Sequence, residues 1–167
     1  CGFRSGDSMT GSRFQNIEMP EAVLAKTGFR PEQVDTLILT HLHFDHAGNF
    51  AAFPNARLIV QRREYERWLE VIASVPDLSL GKQHWALSSM DVEVIGQFQQ
   101  AVKDGRVTLL DGDAEVAPGV FCRLAADTHT FGSQWVEVST PQGPYVIAGD
   151  CVYWYANIER MWPPGYI

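Results

Sequence analysis

Two rhythms of apolar and polar positions run along the chain. Tyr65, Trp68, Leu69 and Ile72 fall at i, i+3, i+4 and i+7, which predicts an amphipathic helix over residues 62–73. A second helix is expected over 91–103, with Asp91 placed to cap its first turn and Gly105 just past its end. Pro20 suits a first helical turn, so 21–26 reads as a short helix stopped by Gly28, and 31–34 as a further turn. Short apolar runs predict strands at 36–40, 58–61, 107–110, 120–124, 135–139 and 145–148. Turn residues separate the later runs at Asp111-Gly112-Asp113, Pro118-Gly119 and Pro141-Gln142-Gly143, and connections this short favour antiparallel pairing. Residues 1–19, rich in Gly, Ser and Thr without a period, read as a loop, and 76–89 as a loop with a helical turn. The expected class is α/β, in a mixed α+β arrangement, as one domain over 1–167.

Composition narrows the field. With 46% hydrophobic and 20% charged residues among 167, the chain can bury a core and is neither disordered nor collagen-like. No apolar run reaches the roughly 18 residues of a membrane span. The net charge is −7, and Lys and Arg cluster nowhere beyond Arg62-Arg63, which argues against nucleic-acid partners. Cys1, Cys122 and Cys151 are an odd set without a CxxC, so neither a disulfide framework nor a zinc ribbon is expected, and the simplest setting is reduced thiols in the cytoplasm.

One segment differs from everything around it. His41-Leu42-His43-Phe44-Asp45-His46 holds three of the five histidines and follows directly on a predicted strand. Residues two apart in extended chain face the same side, so His41 and His43 can hold one metal ion together. Asp45 and His46 come where the chain must turn, near Gly48, and can face a second ion. Imidazole and carboxylate suit zinc, and also iron, manganese and cobalt. More distant residues must complete two sites. Asp127-Thr128-His129-Thr130 and Ala148-Gly149-Asp150 both lie at strand ends beside a glycine, where a ligand is firmly held yet able to reach out. Cys151, next to Asp150, is expected to point to the opposite side. His84 reads as a surface or packing residue.

The pattern His41-x-His43-x-Asp45-His46, then His129, then Asp150 resembles the metallo-β-lactamase superfamily. That resemblance implies an αβ/βα sandwich with a dinuclear metal site at one edge of its sheets. It implies His41, His43 and His129 on one ion, Asp45 and His46 on the other, and Asp150 bridging both. Thr40 to Gly48, the stretch from Leu58 to Tyr65, Glu115 to Val120, and Tyr153 three residues after the aspartate are similar to N-acyl-homoserine-lactone lactonases. Two departures stand in the third motif: Ala126-Asp127-Thr128-His129 replaces the frequent Thr-Pro-Gly-His, and Ser133 stands where a histidine commonly follows. The family's first strands and its last ligand histidine have no counterpart here. The chain is therefore expected to be a fragment, incomplete at both ends, with the final ligand beyond residue 167.

The resemblance implies two divalent ions, zinc first among them, and a bridging hydroxide that opens a lactone or related carboxylic ester. Asp45 and Tyr153 are then the catalytic candidates, Tyr153 as a donor to the carbonyl oxygen as charge builds on it. Tyr153, Trp154, Tyr155 and Trp162, with Phe44 and Phe50, are expected to wall an apolar pocket for an acyl chain. The substrate is expected to be a small lactone or ester, with no nucleic-acid and no membrane partner. A glyoxalase-II-like thioester hydrolase would use the same ligands, and a non-catalytic metal-binding fragment is the other alternative. A nuclease of the superfamily would carry an inserted domain and a basic face, and a flavodiiron-type protein a glutamate at His43.

Overall fold

The computed structural model describes residue 2 and residues 18–163. The loop expected over 1–19 lies almost wholly outside these residues, as does the end of the chain after Pro163. A short helix, α1 (Pro20–Ala25), precedes two sheets. In the first, β1 (Thr36–Ile38), β2 (Arg57–Gln61) and β3 (Val107–Leu110) pair in that order, all parallel. Parallel neighbours need crossovers. The one-turn helix α2 (Phe44–Ala47) lies between β1 and β2, and α3 (Arg62–Ser74) and α4 (Val92–Lys103) lie between β2 and β3. In the second sheet β4 (Ala114–Ala117), β5 (Val120–Ala126), β6 (Gly132–Thr140) and β7 (Gly143–Ile147) form an antiparallel meander. A last short helix, α5 (Tyr155–Glu159), follows. This is the mixed α/β arrangement that the patterning predicts.

β2 shows how the layers are held. Leu58 and Val60 join the main core with Trp68 of α3 and Val94, Ile95 and Phe98 of α4. Full burial of a side chain such as Leu58 or Phe98 is worth about 1.5–3 kcal/mol relative to exposure. Ile59 and Gln61 alternate to the other face. There the buried Gln61 amide donates to Gln134 Oε1 of β6 at 2.9 Å. Gln134 in turn donates its side-chain amide to the Leu39 carbonyl at 2.8 Å and its backbone N–H to the Thr40 carbonyl at 2.9 Å. A buried amide is costly unless bonded, so this chain of contacts fixes the second sheet against the residues that follow β1.

It also explains why β1 stops at Ile38 rather than Thr40: the next carbonyls bond across to β6 instead of along the ladder. Other differences from the sequence expectation are additions. β4 and α5 were not expected, β5 runs on to Ala126, and β6 begins earlier, at Gly132. Residues 76–89 hold two 3₁₀ segments, Leu78–Gln83 and Trp85–Leu87, the second capped by His84. Asp91 accepts the Glu93 N–H at 2.9 Å, and Gly105 leaves α4 with φ 71°. On β7, Tyr145, Val146 and Ile147 are all exposed. Among the described residues no helix is long and apolar enough to cross a membrane.

Candidate metal centre

The site forms where β1, β5 and β7 all end. Beyond Thr40 the chain stays extended, so Leu42 drops into the core while His41 and His43 emerge on the opposite side with ring centroids 4.6 Å apart. At Phe44 the backbone winds into α2, its N–H held by the Ser89 carbonyl at 3.0 Å. That single turn swings His46 back until its ring lies 4.2 Å from His41. Asp45, on the same turn, stays at the rim, its Oδ2 3.6 Å from His46 Nε2 and its side chain 45% exposed.

His129 arrives from the turn after β5. Asp127 adopts φ 53° there and turns its carboxylate out to Arg63, away from the histidines. His129 Nε2 lies 3.0 Å from His43 Nδ1. Asp150 arrives after β7 in a 3₁₀ turn, Gly149–Cys151. Gly149 has φ 53°, and a Cβ at that position would come within 3.1 Å of the Thr40 side chain, so glycine lets the turn seat against the start of the histidine segment. Asp150 Oδ2 is 3.2 Å from His129 Nε2, 3.3 Å from His46 Nε2 and 4.0 Å from His41 Nε2. Cys151 lies in this 3₁₀ turn, where strand alternation does not govern, so its expected opposite-facing direction does not follow from the backbone. The half-buried thiol nonetheless stays outside both ligand groups.

Two compact groups of ligand atoms result, His41 with His43 and His129, and His41 with His46 and Asp150, each within 4.8 Å. His41 and His43 are nearly fully buried, and the Nε2 of each has no hydrogen-bond partner. Burial, reinforced by the imidazoles of His46, His43 and His129, lowers the His41 ring to about 2. Burial and then the rings of His129 and His46 lower His43 to about 3. Both rings are thus neutral at ordinary pH, with unbonded Nε2 atoms close to the other ligand atoms. For Asp150, burial works against ionisation, but the hydrogen bond from His46 and its electrostatic interactions with His46, His41 and His129 outweigh it, leaving the carboxyl below its ordinary range. Neutral imidazoles around a carboxylate form the donor set of a borderline cation such as zinc. Orphaned buried nitrogens are costly in a protein that binds nothing there. The residues present fit a metal.

The Tyr153 hydroxyl points into the same space, 3.0 Å from His129 Nδ1 and donating to Asp150 Oδ2 at 3.2 Å. Burial, and then the Asp150 charge, raise its pKa, so it stays a proton-bearing donor. The expected pocket walls need correction. Phe44 and Tyr153 do line the cavity over the centre, together with His43, Asp45, His129 and Asp150. Phe50, however, lies in the core against Phe98, because the turn after α2 carries it inward. Trp162 is exposed, and Trp154 and Tyr155 edge only a shallow hollow with Val152 and Ile158. The larger apolar cavity, about 540 Å³, lies between α3 and residues 84–89, lined by Trp68, Val71, Trp85, Ala86 and Phe131. It adjoins the centre through Ser89, which lines both. Sequence reasoning passed over Glu64. A glutamate four residues before Trp68, on the apolar stripe of α3, was the available signal, and the structure buries it completely beneath the histidines.

Comparison with known proteins places these features in a family context. The family model for the metallo-beta-lactamase superfamily matches residues 7–166. The chain is 31% identical over 142 residues to an N-acyl homoserine lactonase of a Bacillus species, covering 84% of this chain and 48% of that one. Identity to the N-acyl homoserine lactonase AttM of Rhizobium johnstonii is 30% over 141 residues, covering 84% and 49%. Among solved structures, an N-acyl homoserine lactone hydrolase with the product N-hexanoyl-L-homoserine bound at its catalytic metal centre superimposes with a TM-score of 0.63 at 30% identity, covering 84% of this chain and 48% of that one. The hydrolase AbOPH of the beta-lactamase superfamily gives 0.60 at 32% identity, covering 79% and 46%. The chain thus spans about half the length of the curated relatives it matches.

Proposed function

The chain belongs to the metallo-beta-lactamase superfamily, and from that premise we propose that it works as a metal-dependent hydrolase opening a lactone or related carboxylic ester, of the N-acyl homoserine lactonase type. The observation that carries the reading is the pair of buried, partnerless Nε2 atoms of His41 and His43 facing His129 and Asp150. In this reading His41, His43 and His129 hold one divalent ion, and Asp45 and His46 hold a second. Asp150 serves both, because its Oδ2 already reaches His129 on one side and His46 on the other. Zinc is the ion that this nitrogen-rich set favours. Bound there, the pair of ions supplies a Lewis acid for the substrate carbonyl and an acidified water at neutral pH.

The protein's own residues do the rest. Burial keeps His41 and His43 neutral and ready to coordinate. Tyr153, kept protonated beside Asp150, turns its hydroxyl to the carbonyl oxygen as negative charge develops there. The cavity beside Trp68 and Phe131 takes the acyl chain, its size being within the range of small-molecule sites. The net charge of −7 and the absence of a basic cluster support a small neutral substrate over nucleic acid. Cys122 and Cys151 are free, in keeping with a reducing, cytoplasmic setting.

The test is a paired assay on zinc-loaded protein, with an N-acyl homoserine lactone and a glutathione thioester followed separately. Ring opening consumes one water and releases a carboxylic acid, so proton release reports it directly. The lactone is expected to be the better substrate by kcat/KM. Faster thioester hydrolysis, or no lactone opening by protein that holds zinc, would overturn the reading.

A further inference from the structure

We propose that Glu64 is a positioning residue that holds the two histidine-bearing segments in register for metal binding. The inference rests on the reading of His41, His43 and His129 as ligands. Glu64 stands in the first turn of α3 with no exposed surface. Its Oε1 accepts the Leu42 N–H at 3.0 Å and the Trp68 indole N–H at 2.9 Å. Its Oε2 accepts the Thr130 hydroxyl at 2.7 Å and the Gly132 N–H at 2.8 Å. A carboxylate offers about four acceptor positions, and these four donors take them all.

The placement of the donors gives the contacts their meaning. Leu42 lies between His41 and His43, and Thr130 follows His129 directly. One oxygen therefore holds the first segment and the other holds the second, at the three residues that make up one ligand group. Trp68, bonded to the same carboxylate, packs its ring against His43 at 5.8 Å. Two further features belong to the same clamp. A Cβ on Gly132 would lie 2.4 Å from the Glu64 backbone nitrogen, so only glycine lets β6 start this close to α3. Ser133, where the family commonly has a histidine, is buried and accepts the Thr130 N–H at 3.0 Å while bonding the Thr130 hydroxyl at 2.7 Å. At this position the chain has a strut for the His129 turn.

Glu64→Gln separates the two arms. The amide oxygen can keep Leu42 and Trp68, but the amide nitrogen then meets the Gly132 N–H, donor against donor. The His129 arm should loosen while the His41–His43 arm holds. The experiment is a titration of wild type, Glu64→Gln and Gly132→Ala with Co(II), following both affinity and the visible absorption band, alongside the melting temperature of each metal-free protein. Phe98→Leu, a core change on α4 that removes none of the four donors to Glu64, serves as a variant of lowered stability. The expected result is a roughly 10- to 100-fold loss of Co(II) affinity in both clamp variants, the range for losing a group that orients a ligand. Their absorption band should change, and Phe98→Leu should melt lower with Co(II) affinity and spectrum unchanged. If the clamp variants melt lower but bind Co(II) with wild-type affinity and spectrum, Glu64 is a structural residue only and the proposal fails. If wild type itself binds no Co(II), the ligand assignment fails, and the clamp with it.

Discussion

Replacing Asp150 with alanine is expected to do more damage than any other single change outside the histidines. Its Oδ2 lies within 4.0 Å of His41, His46 and His129, so it reaches residues of both ligand groups. On the proposed assignment, removing it takes a ligand from each ion and the negative charge that offsets their mutual repulsion. Lactone hydrolysis by Asp150→Ala should fall by more than the roughly 10- to 100-fold that loss of a ligand-orienting partner costs. Metal content should fall with it. Asp127→Asn makes the contrast, because that carboxylate only pairs with an exposed Arg63, an interaction worth about 0–1 kcal/mol. Comparable small losses in both variants, by kcat/KM and elemental analysis, would show that Asp150 has been given the wrong role.

Tyr153→Phe should leave metal content unchanged and lower kcat on the order of a hundred-fold, the scale for one lost oxyanion donor. The hydroxyl already sits 3.0 Å from His129 and 3.2 Å from Asp150, which aims it over the centre. Because the donated bond strengthens only as charge builds on the carbonyl oxygen, kcat and kcat/KM should drop together. A rise in KM alone would reduce Tyr153 to a wall of the cavity, and steady-state kinetics across chain lengths of the lactone separates the two outcomes.

How much of this could be read from the sequence depends on how local each signal is. The helices α3 and α4 were legible because each carries its apolar stripe within one segment, and Asp91 and Gly105 mark the ends of α4. β4 was not legible: Ala114–Ala117 alternates half-buried and exposed positions, contains only one β-branched residue, and becomes a strand only through its pairing with β5. α5 has no buried residue and so leaves no apolar stripe to find. The histidine segment was legible because extended chain followed by a turn gathers His41, His43 and His46 from six consecutive positions. His129 and Asp150 stood out at strand ends beside glycines, but only the histidine cluster and the family resemblance gave them a place in the site. Phe50 was misplaced because closeness in sequence to the motif was taken for closeness in space, and one turn of chain was enough to bury it elsewhere. Glu64 escaped notice because its partners at Leu42, Thr130 and Gly132 come together only in the fold. The Ser133 departure, which looked like a missing histidine, proves to be part of that same buried network.

The proposed chemistry needs metal at a defined place, and the most direct measurement is a crystal structure of zinc-loaded protein with anomalous difference maps collected on either side of the zinc absorption edge. One zinc peak is expected among His41, His43 and His129 and a second beside His46 and Asp150. Maps without zinc at either position, from crystals grown with zinc present, would contradict the proposed chemistry.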